Sequence, residues 1–321
     1  MMPYLFKIGD FELRIYSLMY IIGFLITIYF CKRRAKSMGI KPEIMENLII
    51  VLFISGLIGA RMYYVLMKWD FYKHDLFEII AVWHGGLAIH GAVIGGFIGT
   101  AIYSAKLKMR TMFTGDMIAP FLLFSQGIGR FGNFANGEAH GVPVITPPDI
   151  IFRLKPAFTE FWNSTLQYLK IPNTPESLSK LNEVVSKGSI SVPFEGKEYI
   201  LREYVPWGIS FTSKYMPPAY IDFGSLAVHP TFFYEMILNF IGAAILFALW
   251  KKDKWISSGG IFGLYLILYG FIRGFVTVFR ADDLMVGFMR APHLASLAFI
   301  ALGTFLLIRS NKIRNQGIKI A

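Results

Sequence analysis

The chain predicts an all-α polytopic membrane protein. It expects seven transmembrane helices, an outside N-terminus, a cytoplasmic C-terminus, and a mixed external domain between helices four and five. Three observations carry this prediction. Hydrophobic residues make up 55% of the 321, with 30 phenylalanines and a mean hydropathy of +0.50, a composition suited to lipid rather than water. The apolar residues gather in seven runs, each near the roughly 20 residues that a bilayer demands. The basic residues gather between those runs, on one side of the membrane.

The runs cover about residues 14–31, 44–66, 86–105, 112–129, 230–250, 259–280 and 291–308. The first has no basic stretch ahead of it and ends in Cys31-Lys32-Arg33-Arg34, so it reads as a retained anchor, not a cleaved signal peptide. Fifteen basic residues fall on one side: Lys32, Arg33, Arg34, Lys36 and Lys41 after the first run, Lys106, Lys108 and Arg110 after the third, Lys251, Lys252 and Lys254 after the fifth, and Arg309, Lys312, Arg314 and Lys319 at the end. Only Lys7, Arg14, Lys68, Lys73, Arg280 and Arg290 lie in the short segments opposite. The more basic side is cytoplasmic. Residues 1–141 then hold helices one to four, residues 142–228 form an extracytoplasmic insertion, and 229–321 hold the last three helices.

The insertion holds ten of the fifteen prolines, and its eight acidic and eight basic residues balance. It is too long to be structureless and reads as short strands and turns, with strands at Gly188–Pro193 and Lys197–Tyr204 from their alternation. The net charge of +11 sits in short clusters beside apolar runs, which fits anionic lipid and membrane topology, not nucleic acid. The single cysteine, Cys31, excludes an intrachain disulfide and weakens any zinc-thiolate or thiol-nucleophile reading. No His-Glu-x-x-His, no Gly-x-Ser-x-Gly and no acidic cluster suited to magnesium occurs, so neither a metal nor a cofactor is expected.

Polar groups inside apolar runs are costly and therefore informative. Gly129-Arg-Phe-Gly-Asn-Phe-Ala-Asn-Gly-Glu-Ala-His-Gly141 interleaves Arg130, Asn133, Asn136, Glu138 and His140 with glycines at the outer end of run four. Tyr16 opens run one, and Arg61 lies in the outer half of run two. His84 and His90 bracket the start of run three, and His229 and Glu235 begin run five. Tyr269, Arg273 and Arg280 lie in the outer half of run six. All converge on the outer leaflet. Arg273 and Arg280, seven apart, are expected on one helix face. Arg61 reads as a structural ion-pair member, and Glu235 as the partner of one of the run-six arginines.

Several guanidiniums aimed at one leaflet imply an anionic ligand there, and they match phosphate bidentately. The abundant anion at that depth is a phospholipid headgroup. The set suggests chemistry on a phosphodiester, with arginines stabilising charge on the phosphate and His90 as base. An anionic-lipid transporter also wants outer arginines, but it needs polar groups in the inner leaflet, where few occur. A membrane-anchored scaffold relies on residues 142–228, which carry no charge bias or aromatic-basic stripe.

Five motifs, in order, carry a resemblance. They are Arg14-Ile-Tyr-Ser-Leu-Met-Tyr, His84-Gly-Gly-Leu-Ala-Ile-His-Gly, the Gly129–Gly141 motif, His229-Pro-Thr-Phe-Phe-Tyr-Glu and Tyr269-Gly-Phe-Ile-Arg. The chain resembles the bacterial prolipoprotein diacylglyceryl transferases. The resemblance implies a seven-helix enzyme of the inner membrane with its active site facing the outer leaflet. It moves the diacylglyceryl group of phosphatidylglycerol onto the lipobox cysteine thiol of a prolipoprotein signal peptide, and glycerol 1-phosphate leaves. This is the first step of lipoprotein maturation. Carried over by position, Arg130 holds the phosphate, with Asn133, Glu138 and Gly141 shaping that pocket, and His90 is the candidate thiol base. Tyr16, Tyr269, Arg273 and Arg280 complete the cavity. His90, Arg130, Arg273 and Glu138 are the expected catalytic set, and Asn136, His229 and Glu235 join the substrate-binding residues. An arginine-supported hydroxide is the other candidate for the base. Two departures stand out. Thr277 occupies a position where the family commonly has glutamate, so Arg273 takes another counter-ion, Glu235 or Asp282, or does without one. The 142–228 insertion is also longer than the family suggests.

Overall fold

The computed structural model describes residues 4–8, 11–82, 85–153, 157–252, 259–281, 285–287 and 289–315. Helices dominate them. The longer ones are α1 (Ile15–Ser37), α2 (Pro42–Met67), α3 (Ile89–Lys106), α4 (Thr111–Asn136), α5 (Phe158–Leu169), α6 (Pro175–Lys187), α7 (Thr231–Trp250), α8 (Gly260–Thr277) and α9 (Ala291–Asn315). Four helices among the described residues are long and apolar enough to cross a membrane: α2, α7, α8 and Ala291–Ile313 of α9. This is the helical content of a polytopic membrane protein.

Three antiparallel strand pairs punctuate the helices among the described residues, the last and shortest between Met285–Val286 and Met289–Arg290. Strand β1 (Tyr4–Ile8) pairs antiparallel with β2 (Phe11–Arg14), and β3 (Ile190–Phe194) with β4 (Lys197–Leu201). The second hairpin follows from alternation. Val192, Phe194, Tyr199 and Leu201 point inward, and Glu195 and Gly196, with φ of 49° and 74°, make the two-residue turn whose twist suits a hairpin. The sequence reading found both strands, with ends up to three residues off (188–193 against Ile190–Phe194, and 197–204 against Lys197–Leu201), but read the rest of 142–228 as strands and turns. Helices α5 and α6 correct it. Phe158, Phe161, Trp162, Thr165 and Leu166 are buried along α5, and Leu178, Leu181 and Val185 along α6, which is helical spacing. Phe161 packs on the Phe194 and Tyr199 rings, so the hairpin's inner face is covered by α5.

Two compact units result: residues 1–23, 122–245 and 265–304 in one, and 24–121, 246–264 and 305–321 in the other. In the second, α2 and α3 meet backbone to backbone. A Cβ on Gly59 would lie 2.3 Å from the Gly91 carbonyl oxygen, and one on Gly95 would lie 2.4 Å from that of Ser55. Gly91, Gly95 and Gly99 recur every fourth residue, the small-residue stripe that lets membrane helices approach closely. In the same unit the buried Asp116 carboxylate accepts from the amides of Gly259 (2.8 Å) and Phe262 (2.9 Å), capping the start of α8 from a neighbouring helix.

In the first unit, α4 and α7 run antiparallel. Leu123 lies against Gly242, Gly127 against Phe240, and Phe134 against Phe232 and Phe233. Contacts further up α4 therefore fall progressively further down α7. Helix α4 runs two turns past the apolar stretch that ends at residue 129, so Arg130, Asn133 and Asn136 are helical residues, not part of a bent cap. Gly129 and Gly132 stay within the helix, and the break comes at Gly137, with φ of 66°. Helix α8 is shorter than its apolar run. It ends at Thr277, where the Arg290 guanidinium takes the Thr277 and Val278 carbonyls. Arg280 therefore lies beyond the helix and does not share a helix face with Arg273.

Candidate active site

Arg130 is at the centre of the charged residues that the first unit brings together. Its Nη1 donates to Asn133 Oδ1, one turn on, at 2.9 Å, and its Nη2 donates to Glu235 Oε1 on α7. The second oxygen of Glu235 accepts from Arg273 Nη1 of α8 at 3.4 Å. Glu235 is 1% exposed, so one buried carboxylate serves two guanidiniums from different helices. The Tyr269 hydroxyl, a turn before Arg273, lies within electrostatic reach of Glu235, Arg273, Arg130 and Arg280. Three helices thus place two cations, one anion and a phenol around one point.

Sequence reasoning expected Glu235 to pair with one arginine of the sixth run. It pairs with Arg273 and, more closely, with Arg130. That answers the question raised by Thr277, whose hydroxyl is turned to the Arg273 carbonyl at 2.7 Å. Asp282, the other candidate counter-ion, lies outside the described residues.

Arg280 and Gly141 are held in a small backbone frame. Gly141 forms an antiparallel bridge with Arg280; its amide donates to the His229 carbonyl, and the Val142 amide donates to the Phe279 carbonyl, each at 2.9 Å. A Cβ on Gly141 would lie 2.6 Å from His229 Cβ and 2.7 Å from the Phe279 oxygen. No side chain fits without moving a backbone. Gly141→Ala is expected to lower activity at least tenfold by displacing the 279–280 segment, while Ala227→Gly, in a neighbouring segment, leaves it intact. Equal turnover of Gly141→Ala and the native enzyme in a detergent assay would show that the frame tolerates the shift.

His229 is buried, and burial lowers its pKa to about 4, so it stays neutral near pH 7. Its Nδ1 meets the Tyr234 hydroxyl at 3.1 Å, and that hydroxyl accepts from Trp207 Nε1 at 2.7 Å. Glu138 is exposed and contacts Asn136 at 3.4 Å. Among the described residues it forms no ion pair, so it is not brought to the arginines. His140 is buried against the Phe223 ring, with Asp222 at 3.1 Å.

His90 belongs to the other unit. It occupies the first turn of α3 with an exposed ring 5.9 Å from that of Tyr63. Tyr16 lies in the first turn of α1, but its side chain, like all of His84, lies outside the described residues. Arg61 corrects an expectation. It is structural, but its described hydrogen bonds go to backbone carbonyls, not to a carboxylate: Ile79 (2.9 Å), Gly86 (3.0 Å), Ala81 (3.2 Å), Gly85 and Glu78. A guanidinium offers five N–H donors, enough to knit the segment that leads into α3.

Sequence reasoning passed over two polar residues next to this cluster. Gln126 is four residues before Arg130 and Asn239 four after Glu235. The one-turn spacing from residues already flagged was the available signal.

Comparison with known proteins places this geometry in a family context. The family model described as prolipoprotein diacylglyceryl transferase matches residues 3–309. A protein of Fusobacterium nucleatum named phosphatidylglycerol–prolipoprotein diacylglyceryl transferase is 40% identical over 97% of this chain and 99% of its own length. Proteins of the same name from Staphylococcus haemolyticus and Thermotoga maritima are each 32% identical. They cover 95% and 96% of this chain, and 87% and 85% of their own lengths.

Proposed function

The chain belongs to the prolipoprotein diacylglyceryl transferase family, and on that premise we propose that the Arg130–Glu235–Arg273 cluster seats the phosphate of phosphatidylglycerol. The enzyme is a transferase. It moves the diacylglyceryl group to the lipobox cysteine of a prolipoprotein and releases glycerol 1-phosphate. The observation that carries the site reading is the sharing of Glu235 by two arginines. Two guanidiniums and one carboxylate leave one net positive charge, which complements the single negative charge of a phosphodiester. Arg130 spends two of its five N–H donors on Asn133 and Glu235, so three remain for a ligand.

The reaction is substitution at carbon. The thiolate sulfur attacks the glycerol carbon that bears the phosphate. The S–C bond forms as the C–O bond breaks, and the electron pair stays on the phosphate oxygen. The leaving group gains negative charge, which Arg130 and Arg273 are placed to stabilise, with Arg280 as a further cation. His90 takes the thiol proton. Gly141 and Asn133 hold the shape of the seat. Tyr16, Tyr269, Asn136 and His229 complete the substrate surface.

Arg130→Lys tests the seat. Lysine keeps the charge and three donors, but on one nitrogen in place of a planar fork, so it cannot reproduce the separate Nη1 and Nη2 contacts to Asn133 and Glu235 together with a bidentate phosphate contact. Loss of a charge-assisted bond costs about 1.5–3 kcal/mol, tenfold and upward in rate. Near-native glycerol phosphate release from phosphatidylglycerol and a lipobox peptide by this variant would mean that a point charge suffices.

The proposed setting is a seven-helix protein of the bacterial inner membrane, with this site at the outer leaflet and residues 142–228 extracytoplasmic. The support is the uneven division of basic residues between alternate segments. A reporter fused near Asn182 is expected to be active only when that enzyme works outside the cytoplasm. A cytoplasm-only reporter that is active at the same position would reverse the orientation.

A further inference from the structure

Below the arginines lies a second polar level that the reaction as described does not use. Asn239 is wholly buried, with neither its Nδ2 nor its Oδ1 hydrogen-bonded. Gln126 donates through Nε2 to the Tyr265 hydroxyl at 3.0 Å, while its buried Oε1 has no partner. Unpaired amides at this depth in apolar helices are expensive, and native structures rarely keep them without a use. Chance placement does not explain their positions. Asn239 follows Glu235 by one turn of α7, and Gln126 precedes Arg130 by one turn of α4. The antiparallel register set by the Leu123–Gly242 and Gly127–Phe240 contacts puts the two at one level.

We propose that Gln126 and Asn239 form a subsite that reads an ester carbonyl of the diacylglyceryl donor. The proposal rests on the reading of Arg130 and Arg273 as the phosphate seat. One helical turn is about 5.4 Å. That is the order of distance separating a glycerophospholipid's phosphate from its ester carbonyls across the glycerol carbons. With the phosphate at the arginines and the acyl chains pointing along the helices, the esters arrive at the level of Asn239. An ester accepts hydrogen bonds and donates none, so it is read by the two N–H donors of Asn239 Nδ2 and by the one N–H of Gln126 Nε2 left after its bond to Tyr265, not by the orphan amide oxygens. The subsite selects diacyl donors over lipids of equal shape that lack carbonyls. A site built to bond a group rejects an analogue without it, because its own buried polar atoms are then left unpaired.

The test compares two donors in the purified full-length protein with a lipobox peptide, read as glycerol phosphate release. One is ester-linked phosphatidylglycerol, and the other is its dialkyl ether analogue of equal chain length. The native enzyme is expected to prefer the ester about tenfold or more in kcat/KM. Asn239→Leu is expected to lose about as much on the ester and bring the ratio of the two donors near one. Equal use of both donors by the native enzyme overturns the subsite, as does an unchanged ratio in Asn239→Leu. If that variant does not accumulate, Gln126→Leu serves in its place and the native ratio still decides. Near-native release by Arg130→Lys in the same assay overturns the phosphate-seat reading and the subsite with it, whereas the native donor ratio judges the subsite alone.

Discussion

Glu235→Gln is expected to cut kcat by about two orders of magnitude and to destabilise the protein at the same time. Glutamine keeps the size and one carbonyl oxygen, but it removes the negative charge that Arg130 and Arg273 share. Breaking a buried ion pair by removing one partner typically costs about 3–5 kcal/mol, because the remaining charge is left uncompensated. Here two guanidiniums are left facing each other. The amide N–H₂ adds a donor where both neighbours already donate, so at least one arginine must turn away. A misplacement of about 1 Å at a reacting centre can cost a hundredfold in rate. Ground-state binding behaves differently. The cluster's net charge rises from one to two, so phosphatidylglycerol is held no less tightly, and glycerol phosphate, which carries more negative charge, leaves more slowly. The expected pattern is a large fall in kcat, an unchanged or lower KM for lipid, stronger inhibition by added glycerol phosphate, and a lower Tm in detergent. A raised KM with native kcat would show that Glu235 is only part of a binding wall. Native values of both would show that the arginines do not depend on it.

That pairing marks the limit of what the sequence discloses. Arg130, Glu235 and Arg273 are conspicuous because each interrupts an apolar run, and lipid makes such interruptions costly. Their partnership depends on which helices are neighbours and in what register. That is decided by contacts such as Gly127 against Phe240, which no local pattern records. Helix ends are similarly hidden. Hydropathy falls at residue 129, but α4 continues because Arg130, Asn133 and Asn136 are all compatible with helix and find partners along it. On α8 the reverse holds, since Arg290 caps carbonyls at Thr277 before the apolar run ends. The β3–β4 hairpin was legible because alternation is a local signal; the Glu195-Gly196 turn that joins the strands went unread. Helices α5 and α6 were missed, although Phe158, Phe161, Trp162 and Leu166 recur at helical spacing, because the density of prolines in this stretch suggests turns. Most of those prolines lie between or at the starts of the elements, where proline is compatible with helix. Glu138 shows the opposite limit. It sits in the most distinctive motif of the chain, but it is exposed and contacts only its neighbour Asn136 among the described side chains.

His90→Gln is expected to lower turnover by about 10²–10⁴, the usual span for removing a general base. Glutamine preserves the length and a hydrogen bond, so packing beside Tyr63 is kept while the proton acceptor is lost. The exposed ring in the first turn of α3 is a reasonable place for a group that must meet a substrate thiol and then pass its proton to water. The discriminating observation is the pH profile. A free cysteine thiol has a pKa near 8.5, so raising the pH toward that value supplies thiolate without help. The deficit of His90→Gln should therefore shrink as pH rises from about 6.5 to about 9, because the native enzyme gains little over the range while the variant gains with each step. A purely orienting histidine predicts another result: a constant deficit at every pH, together with a lower Tm in detergent. Arg130, Arg273 and Arg280 offer a competing route, since cations in a poorly hydrated site lower a thiol's pKa directly. In that case Arg273→Gln, not His90→Gln, has the deficit that closes with rising pH. Measuring both variants across one pH series assigns the proton transfer to the imidazole or to the arginine field.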